Sequence, residues 1–395
     1  MRRGLPTTAL TLALAWGLVA GCGSSETTPP VVDTYVWDLP ASVPPPEVPA
    51  DNPMSNGKVE LGRHLFYDTR LSENQTQSCA SCHEQKLAFT DGRARALGST
   101  GEMHPRGSMG LTNIGFTTTL TWANDLIPSL EKQARLPIFG ETPVELGMAG
   151  KEDLLLQRLR GEPKYEALFA AAFPGSASKD ASFSANERIQ MDRVLYALAS
   201  FERSLTSANS PYDRFARGDK SALSESQSRG RDLFFSEKME CFHCHGGFHF
   251  ADSVSHVGKT IREVFHHNNG LYNLDGKGAY PASDTGLFAL SGNPNDMGRF
   301  KAPTLRNIGV TAPYMHDGSI ATLEGVIEHY ARGGRKIDDG PNAGDGSTSP
   351  LKSEHVTGFL LSDDEKRDVI AFLNSLTDES FLTNPKFSNP WKDAQ

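Results

Sequence analysis

Two copies of one five-residue pattern, Cys79-Ala80-Ser81-Cys82-His83 and Cys241-Phe242-His243-Cys244-His245, restrict this chain more than any other feature. C-x-x-C-H is the attachment signature of c-type haem. Two thiols one helical turn apart reach the two vinyl groups of a porphyrin, and the next residue sets an imidazole beneath the iron. A shared four-cysteine zinc site would have to unite two pairs far apart in the chain, each trailed by a His it does not use. A thioredoxin-like redox pair has no reason to repeat with the same His, and disulfides within such close pairs are strained. Two covalent haems are therefore expected. They also fit an apolar share of only 38% in 395 residues, because porphyrin fills core that side chains do not.

The fifth cysteine, Cys22, closes a segment that starts with Arg2 and Arg3, runs apolar from Ala9 to Ala20, and ends Leu18-Val19-Ala20-Gly21-Cys22. Residues 1–22 read as a signal peptide whose apolar part is too short to span a bilayer. Small residues before a Cys resemble a bacterial lipobox; a plain secretory signal with an incidental Cys is the alternative. Either exports the chain, and the lipobox predicts a periplasmic protein held to a membrane only through lipid on Cys22. Residues 23–57, rich in Ser, Thr and Pro, read as a flexible tether. A net charge of −9 with no Lys/Arg run excludes a nucleic-acid partner.

Each motif has its own leading helix, Gly62-Arg63-His64-Leu65-Phe66 before the first and Gly230-Arg231-Asp232-Leu233-Phe234 before the second. The second should start at Ser224 with Gln227 completing a capping box, and turn Leu233 and Phe234 toward the porphyrin. Ser184-x-x-Glu187 and Ser362-x-x-Glu365 open two further helices, of apolar period Ile189, Val194, Leu195, Leu198, Phe201 and Val369, Ile370, Phe372, Leu373, Leu376. A helix crossing the leading one is what a cytochrome c-like domain needs. No alternating strand pattern of useful length appears. The fold class predicted is mainly α: two cytochrome c-like haem domains with long irregular loops, residues 58–210 and 211–395.

On these residues the chain resembles the bacterial di-haem cytochrome c peroxidase/MauG family from Gly57 onward. The segments that carry the likeness are 65–72, the first haem motif, Ser129–Ala134, Phe300–Asn307 and Ala312–Gly318. Leu120–Asn124 and Asn268–Leu274 look closest to the MbnH branch, which sits beside MauG and is associated with oxidising a tryptophan on a partner protein. The resemblance implies different ligand sets at the two irons. His83 and His245 are proximal by motif, and the distal ligand of the second haem falls in the helix after His316, at Tyr330, where classical peroxidases of the family have Met. A phenolate lowers the potential of iron whereas a thioether raises it. A core Tyr with a hydrogen-bonded hydroxyl is the plain alternative, and Met315 and Met297 are rival ligands.

At the first haem the resemblance gives Glu145 as distal acid, with Gln133 and Pro137 lining its pocket; a longer spacing leaves Glu141 open. His104 lies near where classical peroxidases carry a removable distal His, an exposed loop His being the ordinary reading. A Ca2+ between the haems is implied, held by Asn113 and the carbonyls of Thr311 and Pro313. Trp122 matches the aromatic that bridges the haems. Met239 stands where MauG has its surface Trp, so holes must leave by another route, through Tyr or Trp391. The activity implied takes oxidising equivalents from H2O2 and delivers them to an aromatic residue, tryptophan first, of a partner protein. A cytochrome c peroxidase fed by a small redox protein, and a purely electron-transferring cytochrome, are the alternatives.

Overall fold

The computed structural model describes residues 33–174 and 188–391, together with Met1. Cys22 with its signal segment, and the start expected at Ser184, lie outside the described residues. In chain order the helices are α1 Asn56–Phe66, α2 Leu130–Gln133, α3 Arg135–Phe139, α4 Glu152–Arg160, α5 Pro163–Ala172, α6 Met191–Ser204, α7 Pro211–Ala216, α8 Glu225–Phe234, α9 Phe288–Ser291, α10 Leu323–Ala331, α11 Asp363–Asn374 and α12 Glu379–Leu382. Among the described residues the one strand pair is Lys336–Ile337 with Gly344–Asp345, antiparallel.

Two helix crossings organise the chain, and each turns on a glycine. Ser55 caps α1, its hydroxyl accepting from Lys58 N at 3.2 Å. A Cβ on Gly62 would lie 1.9 Å from the Ala197 carbonyl oxygen of α6. In the second half, Ser224 and Gln227 form the expected capping box of α8, and Ser362 and Glu365 that of α11. A Cβ on Gly230 would lie 1.9 Å from the Asp368 oxygen of α11. The backbones approach that closely only because both positions lack a side chain.

Around the crossings lie two apolar clusters, one with Leu65, Phe66, Phe89 and Phe201, the other with Phe234, Phe250, Val369 and Phe372. They trade segments across the boundary expected near residue 210. Ala123 belongs to the second cluster, while Phe381, Leu382 and Phe387 belong to the first. The chain from Thr34 onward is one compact unit.

The expected tether is folded in along its described part. Pro46 is buried, and Asn52 is fully buried. Its Nδ2 donates to Glu131 Oε1 at 2.8 Å and Tyr196 O at 3.0 Å, and its Oδ1 accepts from Lys58 Nζ at 3.0 Å. Glu131 also pairs with Arg203 at 2.9 Å. The supposed linker thus supplies a second donor to the ion-paired oxygen, Glu131 Oε1.

Candidate di-haem site

Both motifs begin as one 3-10 turn, Cys79–Ser81 and Cys241–His243. Each imidazole is oriented the same way from behind. His83 Nδ1 meets Phe89 O at 2.7 Å, and His245 Nδ1 meets Phe250 O at 3.1 Å. Phe89 and Phe250 both hold left-handed backbone, φ 64° and 53°. A carbonyl on Nδ1 fixes the tautomer and leaves Nε2 as ligand atom, the arrangement that metal-binding histidines use. Burial pushes both imidazoles below their ordinary range, so they stay neutral.

The four thiols are unpaired. Burial raises the Cys79 thiol, and pushes Cys82 up to about 11 and Cys241 to about 12. Thiols kept protonated by burial do not suit a reactive redox pair. They suit thioether attachment, and the residues present fit one haem at each motif.

At the second motif a cavity is bordered by Cys241, Cys244, His245, Trp122, His316 and Tyr330. Phe234 also borders it, as expected, whereas Leu233 packs against the second cluster. Thr322 caps α10, which carries Tyr330 in its last turn. Burial pushes that phenol up to about 12, with the Asn269 side chain against it. Met315 shares the wall, its Sδ accepting from Asn269 Nδ2 at 3.3 Å. Met297 packs against the second cluster instead. Buried His316 stacks on Phe300 with centroids 3.7 Å apart.

At the first motif, His104 Nε2 lies 3.2 Å from Glu145 Oε1, both side chains being part-exposed. The Glu145 charge acts on Cys79, Cys82 and His83. Glu141 is exposed, at the far side of a turn closed by Leu146 N to Pro137 O, 2.9 Å. Gln133 is half-buried at the end of α2, one turn before Pro137 in α3. Of the two glutamates that spacing left open, Glu145 is the one that meets His104.

Between the motifs a second cavity is bordered by Trp122, His249, Lys301, Thr311, Pro313 and Met315. Trp122 stands on the wall of both cavities, its Nε1 donating to Gly107 O at 3.0 Å. Asn113 is not part of that wall: its Oδ1 accepts from Ser207 N at 2.7 Å and its Nδ2 donates to Ser207 O at 2.9 Å. Of the expected calcium set, Thr311 and Pro313 face the cavity and the Asn113 carboxamide is turned to Ser207. Asn307 repeats this role in the second half, accepting from Asp378 N at 2.7 Å. The matching tripeptides Asn113-Ile114-Gly115 and Asn307-Ile308-Gly309 were the signal for it.

Sequence reasoning passed over two cavity residues. Burial pushes His249 down to about 3, and its Nδ1 has no hydrogen-bond partner. Burial also lowers Lys301 to about 8, its Nζ donating to Thr119 O at 2.9 Å. Lys301 lies within the segment 300–307, and His249 follows His245 by four residues.

The family model of the di-haem cytochrome c peroxidases matches residues 56–221. The methylamine utilization protein MauG of Methylorubrum extorquens is 34% identical over 96% of this chain and 97% of its own. The cytochrome-c peroxidase IdrP1 of a Pseudomonas species is 32% identical over 95% of this chain and 93% of its own. The crystal structure of a MauG-like protein associated with microbial copper homeostasis superposes with a TM-score of 0.86 at 48% identity, covering 91% of this chain and all (100%) of that one.

Proposed function

The chain belongs to the di-haem cytochrome c peroxidase/MauG family, and from that premise we propose that it uses H2O2 to oxidise an aromatic residue, tryptophan first, on a partner protein. The observation that carries this reading is Tyr330 on the wall of the cavity that Cys241, Cys244 and His245 border. A phenolate donor at that iron disfavours Fe(II) and so favours oxidising rather than electron-storing chemistry. When bound, the first haem supplies an iron at which peroxide is reduced and the second an electron-transfer centre.

The chain's own residues divide the remaining work. Splitting H2O2 to two waters consumes two electrons and two protons, so a proton must be held and moved beside the first motif. Glu145 and His104, 3.2 Å apart, are the acid–base pair for it. Phe89 O and Phe250 O keep each imidazole in one tautomer and one orientation. Trp122, fixed through its N–H to Gly107 O, is the ring between the two motifs through which electrons pass. A calcium ion between the motifs, with Thr311 and Pro313 toward it, and a periplasmic location on a Cys22 lipid anchor complete the reading.

The fully oxidised protein, given one equivalent of H2O2 without reductant, should show a prompt and long-lived absorption change from the visible into the near infrared. A response that requires prior one-electron reduction would replace this reading with a peroxide-reducing cytochrome c peroxidase served by a small redox protein.

A further inference from the structure

Behind the wall of the second-motif cavity the aromatic rings continue inward. Phe300 and His316, which border the cavity, are both within reach of Tyr280, at 6.3 Å and 6.4 Å between centroids. Tyr272 follows at 5.4 Å from Tyr280. All four rings are buried. The two tyrosines differ at their oxygens. Tyr280 Oη donates to Asn268 Oδ1 at 3.0 Å, and a neutral amide takes up no proton. Tyr272 Oη donates to Asp317 Oδ2 at 2.5 Å, a carboxylate whose other oxygen is held by Ser319 N at 3.0 Å.

We infer that Tyr272 is an internal store for one oxidising equivalent, filled through the Phe300/His316 wall and Tyr280, with Asp317 receiving the phenolic proton. The inference rests on the proposed function for its oxidant, the peroxide-oxidised centre at the second motif. In the step, one electron leaves the Tyr272 ring for that centre, the phenolic O–H bond breaks, and the proton crosses to Asp317 Oδ2. A neutral phenoxyl radical and a neutral carboxylic acid remain, and one electron from a donor returns both groups to their starting state. The proton shift matters because a buried ring left with a positive charge is costly, whereas transfer inside an existing hydrogen bond leaves no new charge on the ring. Tyr280 has no such base and so passes charge without keeping it.

A second buried tyrosine has the same bond without the same setting. Tyr165 Oη donates to Asp68 Oδ2 at 2.6 Å, an oxygen that Arg70 Nη1 also holds at 3.0 Å. Its ring neighbours are Phe169 and Trp391, at 6.0 Å and 5.9 Å, and neither borders the two cavities described. Trp391, expected as an exit for holes, lies under two cations, Arg70 at 5.4 Å and Lys164 at 4.8 Å, which make its oxidation harder.

The test is electron paramagnetic resonance of the holoprotein frozen after addition of H2O2, with natural and ring-deuterated tyrosine. The expected tyrosyl signal narrows on deuteration, is lost in Tyr272→Phe, falls several-fold in Asp317→Asn, and is unchanged in Tyr165→Phe. A tyrosyl signal that survives Tyr272→Phe, or none at all while absorption shows that the protein has reacted, overturns the store alone. No absorption response of the oxidised protein to peroxide overturns the functional reading and the store with it.

Discussion

On the proposed reading, the difference between the family's two activities turns on Tyr330. Replacing it by Phe keeps the ring that packs in the cavity and removes the oxygen, so the absorption spectrum of the second haem should change and its reduction potential should rise. An unchanged spectrum would remove the ligand assignment. At the first motif, Glu145→Gln removes the proton carrier beside His104 and should slow the reaction with peroxide by about 10²–10⁴-fold, read by stopped-flow absorption, whereas Glu141→Gln should leave it unchanged. At this scale the motif residues were fully legible, because covalent chemistry fixes their spacing. The choice between Glu145 and Glu141 was not, since it depends on how one turn folds over α3. Asn113 was ambiguous for a related reason: its type suits a calcium ligand as well as the left-handed corner it occupies, at φ 56°.

The helices of the second half could be read almost to the residue because their start signals are local: the capping boxes of Ser224 with Gln227 and of Ser362 with Glu365 close within the first turn. The paired G-R-x-L-F segments were visible too, and the crossings explain their glycines. Gly62→Ala and Gly230→Ala each press a methyl group onto a carbonyl of the partner helix and should cost about 1–3 kcal/mol, measured as a lower unfolding temperature. An unchanged unfolding temperature would show that the crossings can open without loss. The residues before α1 were misread, since a Pro-rich composition describes a chain segment in isolation. What folds it in is the Asn52 contact with Glu131 and Tyr196, far away in sequence.

Across the whole molecule, buried ionisable groups tie stability to pH in opposing directions. Burial pushes His249 to about 3 and His329 to about 4, so between those values and about 6.5 the unfolded chain binds more protons and acidification destabilises the fold. Burial lifts Glu202 to about 8 against the pull of Arg203, so from about 4.5 to 8 the folded state binds more protons and stability falls as pH rises. The unfolding temperature should therefore decline from pH 6.5 toward 8, and Glu202→Gln should flatten that limb; a decline that survives the substitution would place its cause elsewhere. A further property follows from the path of the C-terminal segment. Gln85 Nε2 reaches Phe381 O at 3.2 Å, Tyr67 Oη reaches Phe387 O at 2.7 Å, and Trp391 Nε1 reaches His64 O at 2.9 Å. Synthesis makes Cys79 and Cys82 well before residues 381–391, which pack against their lobe. The lobe around the first pair of thiols is thus completed only by residues made long after them.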